Sequence, residues 1–210
     1  MRNEAIEGGA AGSAIKGRVD AAVLDQLFYK ARTHNAFLDR HVPDALLKEA
    51  VDITVQGPTS ANQLPLRVVF VRSPEAKARL KDALAPGNVD KTMAAPVTAI
   101  LAYDLKFFEH LPRLFPHADA KSWFSGNEAF AKVSAHTNGT LQAAYFILAL
   151  RSLGLDAGPM TGFDSAKLDA EFFPDGQFKS NILVNIGYGD DEKLFPRSPR
   201  FQPEEIVTFA

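Results

Sequence analysis

Cysteine is missing from all 210 residues, and that absence removes disulfide frameworks, thiolate metal sites, iron–sulfur clusters and a cysteine nucleophile together. Any redox chemistry must therefore come from a bound cofactor. The histidines, His34, His41, His110, His117 and His136, form no H-x-x-x-H or H-x-H pair, so no metal site is expected. No serine stands in a G-x-S-x-G elbow, no G-x-G-x-x-G follows a strand, and no Walker lysine loop is present. Hydrolase, Rossmann and P-loop readings lose their usual signatures. An excess of one charge is lacking too: 23 Lys and Arg stand against 25 Asp and Glu, with no run that could track a phosphate backbone, so nucleic acid is not an expected partner. Residues 1–18 carry no apolar signal core and no apolar stretch is long enough to span a bilayer; the expectation is a cytoplasmic protein without a membrane partner.

What is present is enough apolar sequence, 46%, to bury a core, in a length that suits one domain. Residues 1–17, rich in Gly and Ala, read as a flexible leader and 18–210 as the domain. Helical spacing runs from Asp20 towards Arg32 and from Pro43 to Gln56. Val68 to Val71 reads as a strand, and Ser73-Pro74 caps a helix that Pro86-Gly87-Asn88 would break. Val97 to Tyr103 is apolar on both faces and should be central in a sheet. The aromatic segment Lys106 to Phe124 could lid a pocket, cover a partner or fill a core. Glu128 to Leu153 is the longest helical pattern, and Thr137 to Leu150 is so apolar that burial on most sides is expected. Gly154 to Asp164 reads as a glycine loop, Asn181 to Gly189 as a strand and Pro203 to Val207 as a last short helix. Strands interleaved with helices at unequal spacing point to an α+β layer fold.

The chemistry-bearing residues lie in separated polar clusters at element boundaries: Arg32-Thr33-His34-Asn35; Pro58-Thr59-Ser60-Ala61-Asn62; Asn88 with Lys91; Pro159-Met160-Thr161-Gly162; and Arg197 with Arg200. Guanidinium forks at Arg32, Arg197 and Arg200 match phosphate oxygens, and Thr33 and Ser60 could bond a polyol.

In that order the clusters resemble those of the FMN-dependent nitroreductase superfamily, from about Asp20 to Val207. The family pattern is an Arg-x-Ser-x-Arg type helix end, a Pro-Ser-x-x-Asn-x-Gln-Pro loop, an Asn-x-x-Lys segment, a Gly-Leu-x-x-x-Pro-x-x-Gly-Phe-Asp loop and a basic C-terminal pair. The stretches Gly57 to Asn62, Leu114 to Ala120, Gly158 to Met160 and Asn185 to Asp190 are similar to the subgroup of malonic semialdehyde reductases of pyrimidine catabolism, which act as 3-hydroxypropionate dehydrogenases. The resemblance implies a nitroreductase-like fold with a mixed central sheet and a buried long helix, in a domain-exchanged homodimer. It implies FMN at the interface, with NADH or NADPH as cosubstrate and a small-molecule acceptor. By that analogy Arg32, Thr33, Lys91, Arg197 and Arg200 approach the cofactor from one subunit and Pro58, Thr59, Ser60 and Asn62 from the other, and His34, Asn35, Asn88, Pro159, Met160, Thr161 and Gly162 are further cofactor-binding candidates. Asn35 stands where a second basic residue is usual, leaving Lys91 to stabilise negative charge at the flavin N1–C2=O edge. Leu64 replaces the glutamine of the loop pattern, and Thr161 replaces an acidic residue found in many nitroreductases. Three activities fit: reduction of malonic semialdehyde, broad nitroaromatic or quinone reduction, and flavin binding without catalysis. His34, His117 and water are the candidate proton donors.

Overall fold

A computed structural model describes residues 17–210; the leader expected over 1–17 lies, but for Gly17, outside the described residues. Four strands, β1 (Leu66–Val71), β2 (Val97–Asp104), β3 (Asp156–Met160) and β4 (Phe178–Gly187), form one sheet in the order β1-β2-β4-β3. The chain has the expected α+β class and central sheet. The sheet is not the mixed one expected: every strand pairing among the described residues is antiparallel, and parallel pairing is confined to the single bridge Thr33–Ala157. All eight residues of β2 are buried, as its two apolar faces require, and a bulge at Leu101/Ala102 shifts its register against β4.

The helices are α1 (Ala21–Leu24), α2 (Asp44–Thr54), α3 (Pro74–Lys81), α4 (Pro86–Ala94), α5 (Leu111–Leu114), α6 (Ser122–Ser125), α7 (Glu128–Ser152), α8 (Ser165–Phe172) and α9 (Pro203–Ile206). A π-helical turn, Asp25–Tyr29, extends α1. One face of the sheet packs on α2 and α7 through Leu47, Ala50, Leu101, Phe146, Leu150 and Val184; the other packs under α3 and α8 through Leu80, Ile100, Leu168 and Leu183. The aromatic segment supplies a third cluster in which Phe107, Leu111 and Phe124 are buried, so much of it fills core, while Trp123 stays half exposed.

Two further sequence expectations are corrected. Pro86 starts a helix instead of only ending one, because its fixed φ and missing N–H suit a first helical turn; α4 carries both Asn88 and Lys91. The glycine loop contains β3, an edge strand, where a proline costs no interior ladder bond. Helix α7 is buried on most sides over Thr137 to Leu150, as expected, with one exposed stripe there of Thr137, Thr140, Leu141 and Ala144. Ala135, Asn138, Gln142 and Phe146 lie inside, but Phe130, Val133 and Leu141 remain exposed within the chain.

Candidate functional site

Around the start of β3 the structure gathers four of the five clusters. Thr33 bridges Ala157, and the His34 amide donates to the Ala157 carbonyl. A Cβ at Gly158 would lie 2.3 Å from the His34 carbonyl oxygen, so the approach requires glycine. His34 is buried and its ring faces carboxylates, with Nε2 3.0 Å from Asp191 and Nδ1 3.3 Å from Asp156. It clamps the Arg32–Asn35 segment to the strand ends and does not present its ring to solvent.

The amide of Asn35 receives Lys91 from α4, with Nζ donating to Oδ1 at 3.3 Å. Asn88 donates from Nδ2 to the Gly162 carbonyl at 2.7 Å, and a Cβ on Gly162 would strike that same nitrogen at 2.5 Å. Thr161 is exposed at this edge. Of the other predicted site residues, Pro159 is half-buried on β3, and Met160 turns inward to the core with its sulfur 3.5 Å from Thr92 Oγ1.

Helix α4 is anchored from below by a residue the sequence reading passed over. Lys77 on α3 is buried and donates to the carbonyls of Thr92 and, at 2.6 Å, Ala95, with Thr98 Oγ1 at 3.3 Å. Thr98 donates in turn to Asn185, and Asn185 to Thr92, closing a network between α4 and the sheet. Burial without a carboxylate pulls the Lys77 ammonium down to about 8.

Beside this edge lies a cavity of about 320 Å³ lined by Arg32, Thr33, Asn35, Arg151, Arg197 and Arg200, with Phe28 and Phe195 among its apolar walls. Its arginines are held by neutral acceptors. Arg32 donates to the Phe195 carbonyl, Arg197 to Ala31 at 3.0 Å, Arg200 to Ser198 and Pro199 at 3.0 Å, and Arg151 to Leu27 at 2.8 Å. None of the four pairs with a carboxylate among the described residues. Such a set suits a phosphate, whose charge the cavity lacks.

The fifth cluster stands apart. Ala61, Asn62 and Leu64 all adopt left-handed φ, at 49°, 48° and 41°, a strained arrangement for residues with side chains. Surrounding groups impose it. Asn138 Oδ1 accepts the Ser60 amide at 2.8 Å, Tyr145 donates to the Pro58 carbonyl at 3.1 Å, Thr59 Oγ1 accepts the Leu64 amide at 3.3 Å, and buried Gln63 bonds Ser134. Asn62 donates to the Leu114 carbonyl at 2.8 Å. Among the described residues no hydrogen bond joins this loop to Arg32, Arg151, Arg197 or Arg200.

The profile of the nitroreductase family matches residues 29–188, and the chain belongs to that family, a class of oxidoreductases that works with FMN and NAD(P)H. Relatives called "Putative NADH dehydrogenase/NAD(P)H nitroreductase" come from Burkholderia lata, 63% identical over 89% of this chain and 95% of the relative, and from Stenotrophomonas maltophilia, 59% identical over 91% and 98%. Solved structures with the same fold include a "putative nitroreductase" of Bacillus subtilis, with TM-score 0.80, 21% identity, and coverage of 90% of this chain and 99% of that one. Another is a "putative nitroreductase in complex with FMN" of Exiguobacterium sibiricum, with TM-score 0.78, 16% identity, and coverage of 92% and 99%. No described helix is long and apolar enough to cross a membrane, and no group of described side chains could hold a metal ion.

Proposed function

We propose that this oxidoreductase binds FMN across the arginine cavity and the Lys91 edge, and that its acceptor is malonic semialdehyde, reduced to 3-hydroxypropionate. The observation that carries the cofactor reading is the set of guanidiniums bonded only to carbonyls, next to an ammonium held by Asn35. Arg32, Arg197 and Arg200 would hold the phosphate, and Asn88, Thr161 and Gly162 would border the ring system. When bound, FMN supplies the redox chemistry, accepting hydride from NADH or NADPH and passing it to the acceptor. Lys91 offsets the negative charge that reduction adds to the pyrimidine edge. With His34 enclosed by Asp156 and Asp191, the proton for the product alkoxide comes from water or the exposed His117. The acid-aldehyde substrate rests on the resemblance of the Gly57, Leu114, Gly158 and Asn185 stretches to semialdehyde reductases.

The working unit in this proposal is a homodimer in which Pro58 to Asn62 of one chain completes the site of the other. Three features support it. The strained loop is rigid yet separate from the arginines; α7 leaves Phe130, Val133 and Leu141 exposed; and Phe201, Ile206 and Phe209 of the tail are exposed as well. Strand β1 also offers an open sheet edge beside a cavity of about 520 Å³ lined by Leu66, Val68, Phe70 and Gln142, whose buried Nε2 has no acceptor. That edge is where an exchanged tail would add. A broad nitroarene or quinone reductase is the second reading, favoured by half-exposed Trp123 stacked edge-on to Phe115, next to the Leu114 carbonyl that Asn62 bonds. Steady-state kcat/KM on malonic semialdehyde and on a nitroarene decides. A preference for the aldehyde supports the proposed substrate; comparable or greater efficiency on nitroarenes overturns it.

A further inference from the structure

The four arginines of the cavity are not equivalent. Arg32, Arg197 and Arg200 come from coil segments, and the latter two are exposed. Arg151 instead projects from the last turn of the 25-residue helix α7, and it is the only charged residue between Lys132 and Asp156. Its Nη1 donates to the Leu27 carbonyl at 2.8 Å, its own carbonyl accepts from Gln26 Nε2 at 2.7 Å, and its Nε is buried with no acceptor among the described residues. Burial lowers its affinity for the proton, Asp156 opposes that, and Arg197 adds like-charge repulsion. A guanidinium stays charged under these conditions. A cation at a helix C-terminus interacts favourably with the helix dipole, yet that alone gives no reason to half-bury it beside another arginine with one neutral acceptor. The unmet N–H and the repulsion are costs in the free protein that an entering anion offsets.

We propose that Arg151 is an anion-binding residue of this cavity, the fixed member of the set that takes the phosphomonoester of the flavin nucleotide. The inference rests on the FMN reading above and adds a residue outside the five sequence clusters. Because α7 also carries Asn138 and Tyr145, which brace the Pro58 loop, one rigid helix fixes the phosphate seat and that loop within each chain.

Riboflavin, identical to FMN but for the phosphate, provides the test. The full-length protein is stripped of flavin and titrated with FMN and with riboflavin by flavin fluorescence, as wild type and as Arg151→Met. Wild type is expected to favour FMN. In Arg151→Met, FMN affinity is expected to fall tenfold or more while riboflavin affinity changes less than threefold, so the ratio collapses. An unchanged ratio, whether both affinities fall or neither does, overturns the assignment and leaves Arg151 a helix-end brace for Leu27. A wild type that binds both equally overturns the phosphate reading of the cavity itself, and this inference with it. If the Met variant does not fold, Arg151→Lys is read the same way: a ratio lowered at least threefold supports the assignment, and an unchanged ratio overturns it.

Discussion

Two sets of arginines in this molecule have opposite surroundings. Arg67, Arg72 and Arg79 each meet a carboxylate, Asp104, Asp44 and Glu171 respectively. Arg32, Arg151, Arg197 and Arg200 meet only carbonyl oxygens. The first set is neutralised within the fold and serves the fold. The second gathers positive charge around a cavity with no carboxylate partner among the described residues, and in the proposed function a phosphate neutralises it. Residue type says nothing of this difference; the presence or absence of a built-in anion decides it.

The sharpest way to break the contrast is Arg67→Ala. It leaves Asp104, 1% exposed in its side chain, with Gln177 and the Lys106 amide as donors and His110 Nε2 3.7 Å away. A loss of about 3 kcal/mol in urea unfolding is expected, with FMN affinity of the folded protein unchanged. Lys77 sharpens the comparison as a cation with neither carboxylate nor cavity. Its value falls from 10.5 unfolded to about 8 folded, so the unfolded chain binds the extra proton between those limits. Stability is penalised below about pH 8 and should rise through pH 8 to 10.5 by up to about 3 kcal/mol. Lys77→Met should remove that rise when unfolding is measured across the same range.

Arg32→Met is expected to weaken FMN by about 1.5–3 kcal/mol, roughly 10- to 100-fold, with little change in flavin-free stability. Equal loss of riboflavin would move Arg32 into the structural set. At the small end, Arg79→Ala breaks a pair whose side chains are 53% and 45% exposed. It should alter unfolding by less than about 1 kcal/mol and flavin binding not at all.

Much of the fold was legible from patterns that physics makes local. Apolar Val97 to Tyr103 had to be central, and Ser73-Pro74 had to open a helix, with Ser73 accepting the Ala76 amide as a cap does. Strand β3 was not legible, because Gly158 and Pro159 are poor strand formers locally and are placed by the close approach of His34 and by an edge position. In the site, Arg32, Asn35, Lys91, Arg197 and Arg200 were legible as clusters in sequence order, whereas the bond from Lys91 to Asn35 came only with the fold. His34 entered the same list, but its two carboxylate partners come from Asp156 and Asp191, far away in sequence. Arg151 could have been found from one signal, a lone cation in the last turn of a helix that carries no other charge after Lys132. Lys77 gave none, since a lysine in Ala76-Lys77-Ala78 looks exposed until α4 covers it.

The central claim is that this chain carries FMN and reduces it with NAD(P)H. The direct measurement is the absorbance spectrum of the purified protein reconstituted with FMN, followed anaerobically as NADH or NADPH is added and then malonic semialdehyde. The account expects flavin bound in equal number to chains, bleaching on addition of nicotinamide, and recovery of colour with the aldehyde. Failure to retain FMN, or bound flavin that neither nicotinamide bleaches, would contradict it.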